Sequence, residues 1–235
     1  MPKRIASLLA ALRNPPPVSA LYGQYVQICQ LQILDAVSGF YKAREDDPAP
    51  LYGKTVLDLG CGVSPMSQFV ALAGADVTAI DPNPALLAHA RAAAEAFGTP
   101  INFVETRAED LIHSPQKYDV VLALDVLEEH PDPAKLLWVC RQLLKPDGLL
   151  LVSAISRTPW AWVLHVLLSS YIYGRVPAEK RGWNSLFRPE QLKKMAEAQG
   201  FFSRKVRWLR FKIRPAGWQS APHGTRYLMS LTLRP

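Results

Sequence analysis

The chain is poor in the residues that crosslink proteins or bind zinc. Its three cysteines, Cys29, Cys61 and Cys140, are scattered and form no C-x-x-C pair. That argues against a disulfide scaffold and a zinc ribbon, and suits a reducing compartment. No stretch has the roughly 20 apolar residues that a membrane-spanning helix needs, and no sustained apolar core with a cleavage site marks a secretory signal. Internal repeats and low-complexity linkers are absent too. Acid is scarce at both ends: Met1 to Leu34 holds none, and after Arg141 the only carboxylates are Asp147, Glu179, Glu190 and Glu197. The net charge of +7 is therefore unevenly spread. Such a surface suits anionic lipid or nucleic acid, or is a solvated basic face. With 49% hydrophobic residues in 235, there is enough apolar material for one well-buried domain with an elaboration.

What is present is organised around Lys54-Thr-Val-Leu-Asp-Leu-Gly-Cys-Gly-Val-Ser64. An apolar β-rich run broken by one carboxylate, Asp58, ends in Gly60-Cys61-Gly62, and a helix-compatible segment opens at Pro65. This is the strand, glycine turn and helix start of a doubly wound nucleotide-type fold. A dinucleotide fingerprint needs a third glycine, but Pro65 comes instead. Asp58 would repel a pyrophosphate but suits an ammonium group. Asp81 ends the next strand, Ala75-Asp-Val-Thr-Ala-Ile-Asp81, about 20 residues beyond the turn, where a carboxylate accepts ribose hydroxyls. Ammonium and ribose without phosphate describe S-adenosylmethionine.

Further along, the pattern alternates: helix Pro65–Ala73, strand Asp76–Ile80, helix Pro84–Phe97, strand Ile101–Glu105, a turn at Arg107-Ala-Glu-Asp110, and strand Tyr118–Leu124. Helix Pro133–Leu144, the loop Lys145-Pro-Asp-Gly148 and strand Leu149–Ala154 follow, then helix Pro189–Gln199 and two strands, Phe201–Ile213 and Tyr227–Leu233, expected as an antiparallel hairpin at the sheet edge. Apolar strands alternating with helices imply an α/β, doubly wound, largely parallel sheet, expected here with seven strands. We expect residues 1–50 to form an N-terminal helical cap, with a short amphipathic helix from Ile5 and a helix from Val18 to Tyr41, and residues 51–235 to form the main domain. The basic start also fits an organellar presequence. Residues 157–187 interrupt the pattern after the fifth strand. Thr158 to Gly174 carries no Asp, Glu, Lys or Arg but holds Trp160, Trp162, Tyr171 and Tyr173, and Arg157, Arg175, Lys180 and Arg181 border it. Two readings stand, an interfacial helix with aromatics at headgroup depth and a lid helix packed on the domain.

Ligands in such sheets lie beyond the carboxyl ends of the strands. Strand Tyr118–Leu124 delivers Asp125-Val-Leu-Glu-Glu-His130 there. Asp125, Glu128 and His130 are the catalytic candidates, as bases for a hydroxyl acceptor. Asp125, Glu128 and Glu129 are candidate ligands for a divalent cation such as Mg2+. His165 and His223 are further groups for the acceptor; His89 is expected at the surface.

These stretches resemble the class I S-adenosylmethionine-dependent methyltransferases, and more closely the ubiquinone-biosynthesis O-methyltransferase family. Val56-Leu-Asp-Leu-Gly-Cys-Gly62, Gly74-Ala-Asp-Val-Thr-Ala-Ile-Asp81, Asp125-Val-Leu-Glu128, Pro131-Asp-Pro133, Leu144-Lys-Pro-Asp-Gly148 and Phe187-Arg-Pro189 carry the likeness, from about Gly53 onward. The resemblance implies a Rossmann-like fold with a helical insertion after the fifth strand. It implies contacts to S-adenosylmethionine from Gly60, Asp81 and Leu124, and from Ala108 and Glu109 at the adenine. Asp58, Cys61 and Gly62 complete the expected cofactor set. It also implies O-methylation of a lipophilic, polyprenylated aromatic ring at a membrane surface. The expected location is the cytoplasm, peripheral to the inner face of an anionic membrane, or the mitochondrial matrix side. No nucleic-acid partner is expected: there is no Asn-Pro-Pro-Tyr motif, and Cys140 lies outside a Pro-Cys loop. The chain departs from the family where Glu-x-x-Glu-His becomes Asp125, Glu128 and Glu129, with His130 one place late. Lys180-Arg-Gly-Trp183 replaces Thr-His-Asp-Trp, and Gln32 in Leu31-Gln-Ile-Leu34 stands where an Arg contacts the cofactor. A different lipophilic acceptor, and a non-catalytic membrane-associated relative, remain open alternatives.

Overall fold

The computed structural model describes residues 18–44, 47, 49–63, 65–164, 182–213 and 216–233. The helix expected from Ile5, Ser64, His165 and most of the insertion lie outside the described residues. Within the insertion, residues 159–164 are helical and Trp183–Ser185 form a 3-10 turn.

The described residues begin with α1 (Val18–Tyr41). Then come β1 (Thr55–Leu59), α2 (Pro65–Leu72), β2 (Asp76–Asp81), α3 (Pro84–Ala96), β3 (Ile101–Glu105) and a 3-10 turn at Ala108–His113. β4 (Tyr118–Leu124), α4 (Pro133–Leu143), β5 (Leu144–Ile155), α5 (Pro189–Ala198), β6 (Phe201–Ile213), β7 (Ala216–Ala221) and β8 (Arg226–Leu233) complete it. The helix starts are written in the sequence. Asn83 caps α3 by accepting the N–H of Ala85, and Asp132 caps α4 by accepting that of Lys135. A proline follows each cap, where the missing N–H costs nothing.

The strands form one sheet in the order β3-β2-β1-β4-β5-β8-β6-β7, parallel from β3 through β5. Its central strands are apolar on both faces because each face is covered. Leu57, Leu59, Val121, Ala123, Leu150 and Val152 pack with Leu137, Cys140 and Leu143 of α4 and Leu192 of α5. The alternate residues Val56, Val120, Leu122, Leu149 and Leu151 pack with Val70 of α2 and with Ile33, Ala36 and Val37 of α1. The second half of α1 therefore belongs to the core.

Three expectations are corrected. Among the described residues the sheet has eight strands rather than seven, because β6 runs on to Ile213 and the chain folds back as β7 on the outer edge. β8 is not at the edge but between β5 and β6, antiparallel to both. Its residues from Arg226 to Thr232 are buried, which only an inner position satisfies. Lys145-Pro-Asp-Gly148, expected as a loop, lies within the span of β5.

Candidate active site

The strand order reverses between β2-β1 and β4-β5, so a crevice opens beyond the carboxyl ends of β1 and β4. On one side stands the glycine turn. Gly60 adopts φ +64°, a left-handed conformation open to glycine. A Cβ there would come within 2.5 Å of Val126 Cγ1, so the loop after β4 lies directly against the turn after β1. Asp81 spans the floor: its carboxylate accepts the N–H of Gly62 at 3.0 Å and that of Asn83 at 2.8 Å. Cys61 faces inward against Ala79 and Leu87, and burial pushes its thiol well above the ordinary range. Its contribution to the turn is its backbone N–H, which donates to Ile80 O.

Asp58 is 3% exposed and accepts a 2.5 Å hydrogen bond from Ser67 Oγ of α2. Burial raises its carboxyl to about 7, and the nearby Asp81 adds to the shift. An ammonium group beside it would restore its charge.

The expected carboxylate and imidazole cluster does not converge. Asp125, at φ +58°, turns the chain sharply at the end of β4. Its N–H donates to Ser153 Oγ, and that hydroxyl donates back to Asp125 Oδ1 at 2.7 Å. Tyr25 of α1 donates to Oδ2 at 2.8 Å, and the Arg226 guanidinium at the start of β8 pairs with the same oxygen. Burial would raise the Asp125 carboxyl, but Arg226 and the hydroxyl donors hold it below its usual range. Glu128 turns into the core, 4% exposed, and accepts the N–H of Ile155 at 2.7 Å. Burial and then Asp125 push it up to about 7. Glu129 is exposed. His130 points elsewhere again, with Nε2 2.9 Å from Glu109 Oε1. It thereby ties the loop after β4 to the 3-10 turn carrying buried Ala108. Burial opposes ionisation of Glu109, but the hydrogen bond to His130 prevails and lowers its pKa.

The remaining candidates separate likewise. Leu124 sits at the end of β4 against the α1 face of the sheet. Gln32 does not reach the crevice; its Nε2 donates to Trp208 O, fastening α1 to β6. His223 is exposed and meets Arg210 at the hairpin turn, and His89 is at the surface as expected. Sequence motifs missed Tyr25, Ser153 and Arg226. Arg226 had one signal, a lone cation opening a strand that is otherwise uncharged.

The glycine turn that a Cβ would fill, Asp81 on the backbone, and a buried carboxylate suited to an ammonium group fit S-adenosylmethionine. A divalent cation does not fit: among the described residues no three His, Cys, Asp or Glu side chains could hold one. Asp125 is engaged by Arg226, Tyr25 and Ser153, while Glu128 faces the core.

Fold and cradle together define a class I, S-adenosylmethionine-dependent methyltransferase. The methyltransferase domain family model matches residues 30–204, and the chain belongs to that family. It is 33% identical over 165 residues to the ubiquinone biosynthesis O-methyltransferase of Cereibacter sphaeroides, covering 70% of this chain and 67% of that one. To the enzyme of the same name from Pseudomonas paraeruginosa it is 38% identical over 148 residues, covering 63% of this chain and 64% of that one. The aligned region thus spans about two thirds of these relatives' length. Among solved structures, the magnesium protoporphyrin IX methyltransferase of Synechocystis with bound SAH shares the fold. Its TM-score is 0.59 at 21% identity, covering 89% of this chain and 85% of that one.

Proposed function

We propose that this protein transfers a methyl group to a hydroxyl oxygen of a hydrophobic aromatic ring, of the ubiquinone-precursor type, at a membrane surface. The observation that carries this reading is the contact between Gly60 and Val126. It sets the donor cradle on β1 and β2 one residue from Asp125, where β4, β5, β8 and α1 meet. The relatives named O-methyltransferase support oxygen as the acceptor atom.

Asp58 would hold the donor's ammonium group, Asp81 its ribose, and Ala108 and Glu109 its adenine. S-adenosylmethionine, when bound, supplies a methyl carbon on a positively charged sulfur, which keeps the bond pair when it leaves. Such a displacement gains most from alignment, and the Asp81 link between the two turns fixes the backbone that provides it. The membrane part of the reading rests on Trp162 and Trp183, both more than a third exposed, beside Arg157 at the edges of the insertion. No helix among the described residues is long and apolar enough to cross a membrane.

The test is purified protein with methyl-labelled S-adenosylmethionine and a membrane lipid extract. Alkali-stable label on an aromatic ether in the organic phase is expected. Label only on a water-soluble product would remove the lipophilic acceptor, and label on nitrogen or carbon would remove O-methylation.

A further inference from the structure

The acceptor side of the crevice is built around an arginine. Arg226 opens β8 opposite Ile155, the last residue of β5, so it stands at the carboxyl edge beside the end of β4. Its side chain is 10% exposed. It pairs with Asp125 Oδ2, and its guanidinium lies 4.8 Å from the centre of the Tyr25 ring. Four elements meet there: Asp125 after β4, Ser153 in β5, Arg226 in β8 and Tyr25 in α1. Trp218 of β7 also packs against Tyr25, with 5.3 Å between ring centres. Its Nε1 is buried and has no acceptor among the described residues. Two donors, one cationic, thus lie against one aromatic ring.

A buried ion pair is a weak device for stability, since desolvation offsets most of its attraction. A guanidinium, however, has five donors in a fixed fork and can bridge two oxygens. The position that a carboxylate-bound cation would need is meanwhile closed, because Asp125 is already committed to Arg226, Ser153 and Tyr25.

We propose that Arg226 binds the acceptor's ring oxygen as an oxyanion, with Asp125 positioning the guanidinium, and that Tyr25 and Trp218 line the ring's site. The substrate class is a phenol or catechol that need not chelate a metal. The proposal rests on the O-methyl transfer reading above. In it, the hydroxyl proton leaves to solvent water, the oxygen gains the new bond to carbon, and Arg226 holds the negative charge until that bond forms. Charge stabilised in a water-poor site of this kind carries a large share of catalysis.

The test uses the full chain, freed of metal with EDTA, with 4-nitrocatechol and catechol as probes and the variants Arg226→Gln and Arg226→Lys. With S-adenosylhomocysteine present, the wild type is expected to bind 4-nitrocatechol by calorimetry. Arg226→Gln should weaken that binding about tenfold or more, a loss of about 1.4 kcal/mol, while S-adenosylhomocysteine affinity stays within about twofold. Arg226→Lys should fall between the two. Methyl transfer to catechol should suffer more in Arg226→Gln than transfer to 4-nitrocatechol, whose hydroxyl is more acidic and needs less help; a purely structural role would slow both equally.

The proposal is overturned if the wild type does not bind 4-nitrocatechol, or if Arg226→Gln binds and methylates both probes like the wild type. It is overturned equally if both variants lose probe and S-adenosylhomocysteine together, or if EDTA abolishes probe binding and Mg2+ restores it. Binding that depends on Arg226 without methylation of either probe upholds the oxyanion site and removes the O-methyl transfer reading instead.

Discussion

Asp81 Oδ2 accepts the backbone N–H of Gly62 at 3.0 Å, while Oδ1 of the same carboxylate accepts that of Asn83 at 2.8 Å. One side chain thus joins the turn after β1 to the cap of α3, and the two halves of the proposed donor cradle hold their spacing through it. Asp81→Ala should lower S-adenosylhomocysteine affinity by about ten- to a hundredfold, the scale of one or two charged hydrogen bonds. Asp81→Asn, which retains a carbonyl acceptor, should lose less. Calorimetric titration of the three proteins gives the ranking, and equal affinities would show that Asp81 does not organise the cradle.

Gly60 meets two constraints at once, φ +64° and Val126 Cγ1 at 2.5 Å from the place of a Cβ. Gly60→Ala should cost about 1–3 kcal/mol of stability through backbone strain. It should also displace the loop carrying Asp125, so donor affinity falls with it. Gly60→Ala combined with Val126→Ala relieves the clash but not the strain and should recover only part of the loss in thermal unfolding.

The raised carboxyl of Asp58 has a sign that can be checked. Its native pKa is about 7, against about 3.9 in an unfolded chain. The native state therefore binds more protons between those values, and this group's contribution to stability falls as pH rises through that window, then levels off. Glu128, raised to about 7 as well, adds in the same direction. Asp58→Asn should flatten the decline in melting temperature between about pH 5 and 7. An ammonium at Asp58 favours the charged form, so S-adenosylhomocysteine affinity should rise across the same window in the wild type and not in Asp58→Asn. Parallel pH profiles for the two proteins would exclude this role.

Glu128 is placed to hold the end of β5 through the N–H of Ile155. Glu128→Gln keeps an acceptor for that bond and should leave the melting temperature near or above the wild-type value at pH 8. Glu128→Ala orphans a buried N–H and should cost about 1–3 kcal/mol. A direct role in catalysis would reverse the emphasis, with Glu128→Gln folded, binding donor and inactive.

His130 and Glu109 join the loops after β4 and β3 at 2.9 Å. Replacing either with Ala should loosen the expected adenine contact at Ala108 and weaken S-adenosylhomocysteine binding a few-fold. Transfer rates at saturating donor should then stay close to wild type. A selective loss of rate would instead return His130 to the reacting atoms.

Local chemistry wrote much of this protein into its sequence. Continuous apolar strand runs, proline-led helices with Asn83 and Asp132 as caps, the glycine turn and Asp81 are decided within a few residues of themselves, so the strands, the helices and the turns proposed to hold the donor were legible. Three things were not. The place of β8 between β5 and β6 depends on pairing across the whole chain. The extra strand β7 exists because β6 runs past its neighbour and the hairpin turns back on it, with α1 fastened there by Gln32. Most consequentially, Asp125, Glu128 and His130 are neighbours in sequence but part company in space. A positive φ at Asp125 and the turn behind it send one side chain to Arg226, one to Ile155 and one to Glu109. Spacing along a loop does not set side-chain direction. Partners 101, 27 and 21 residues away did that here, and only the folded chain brings them within reach.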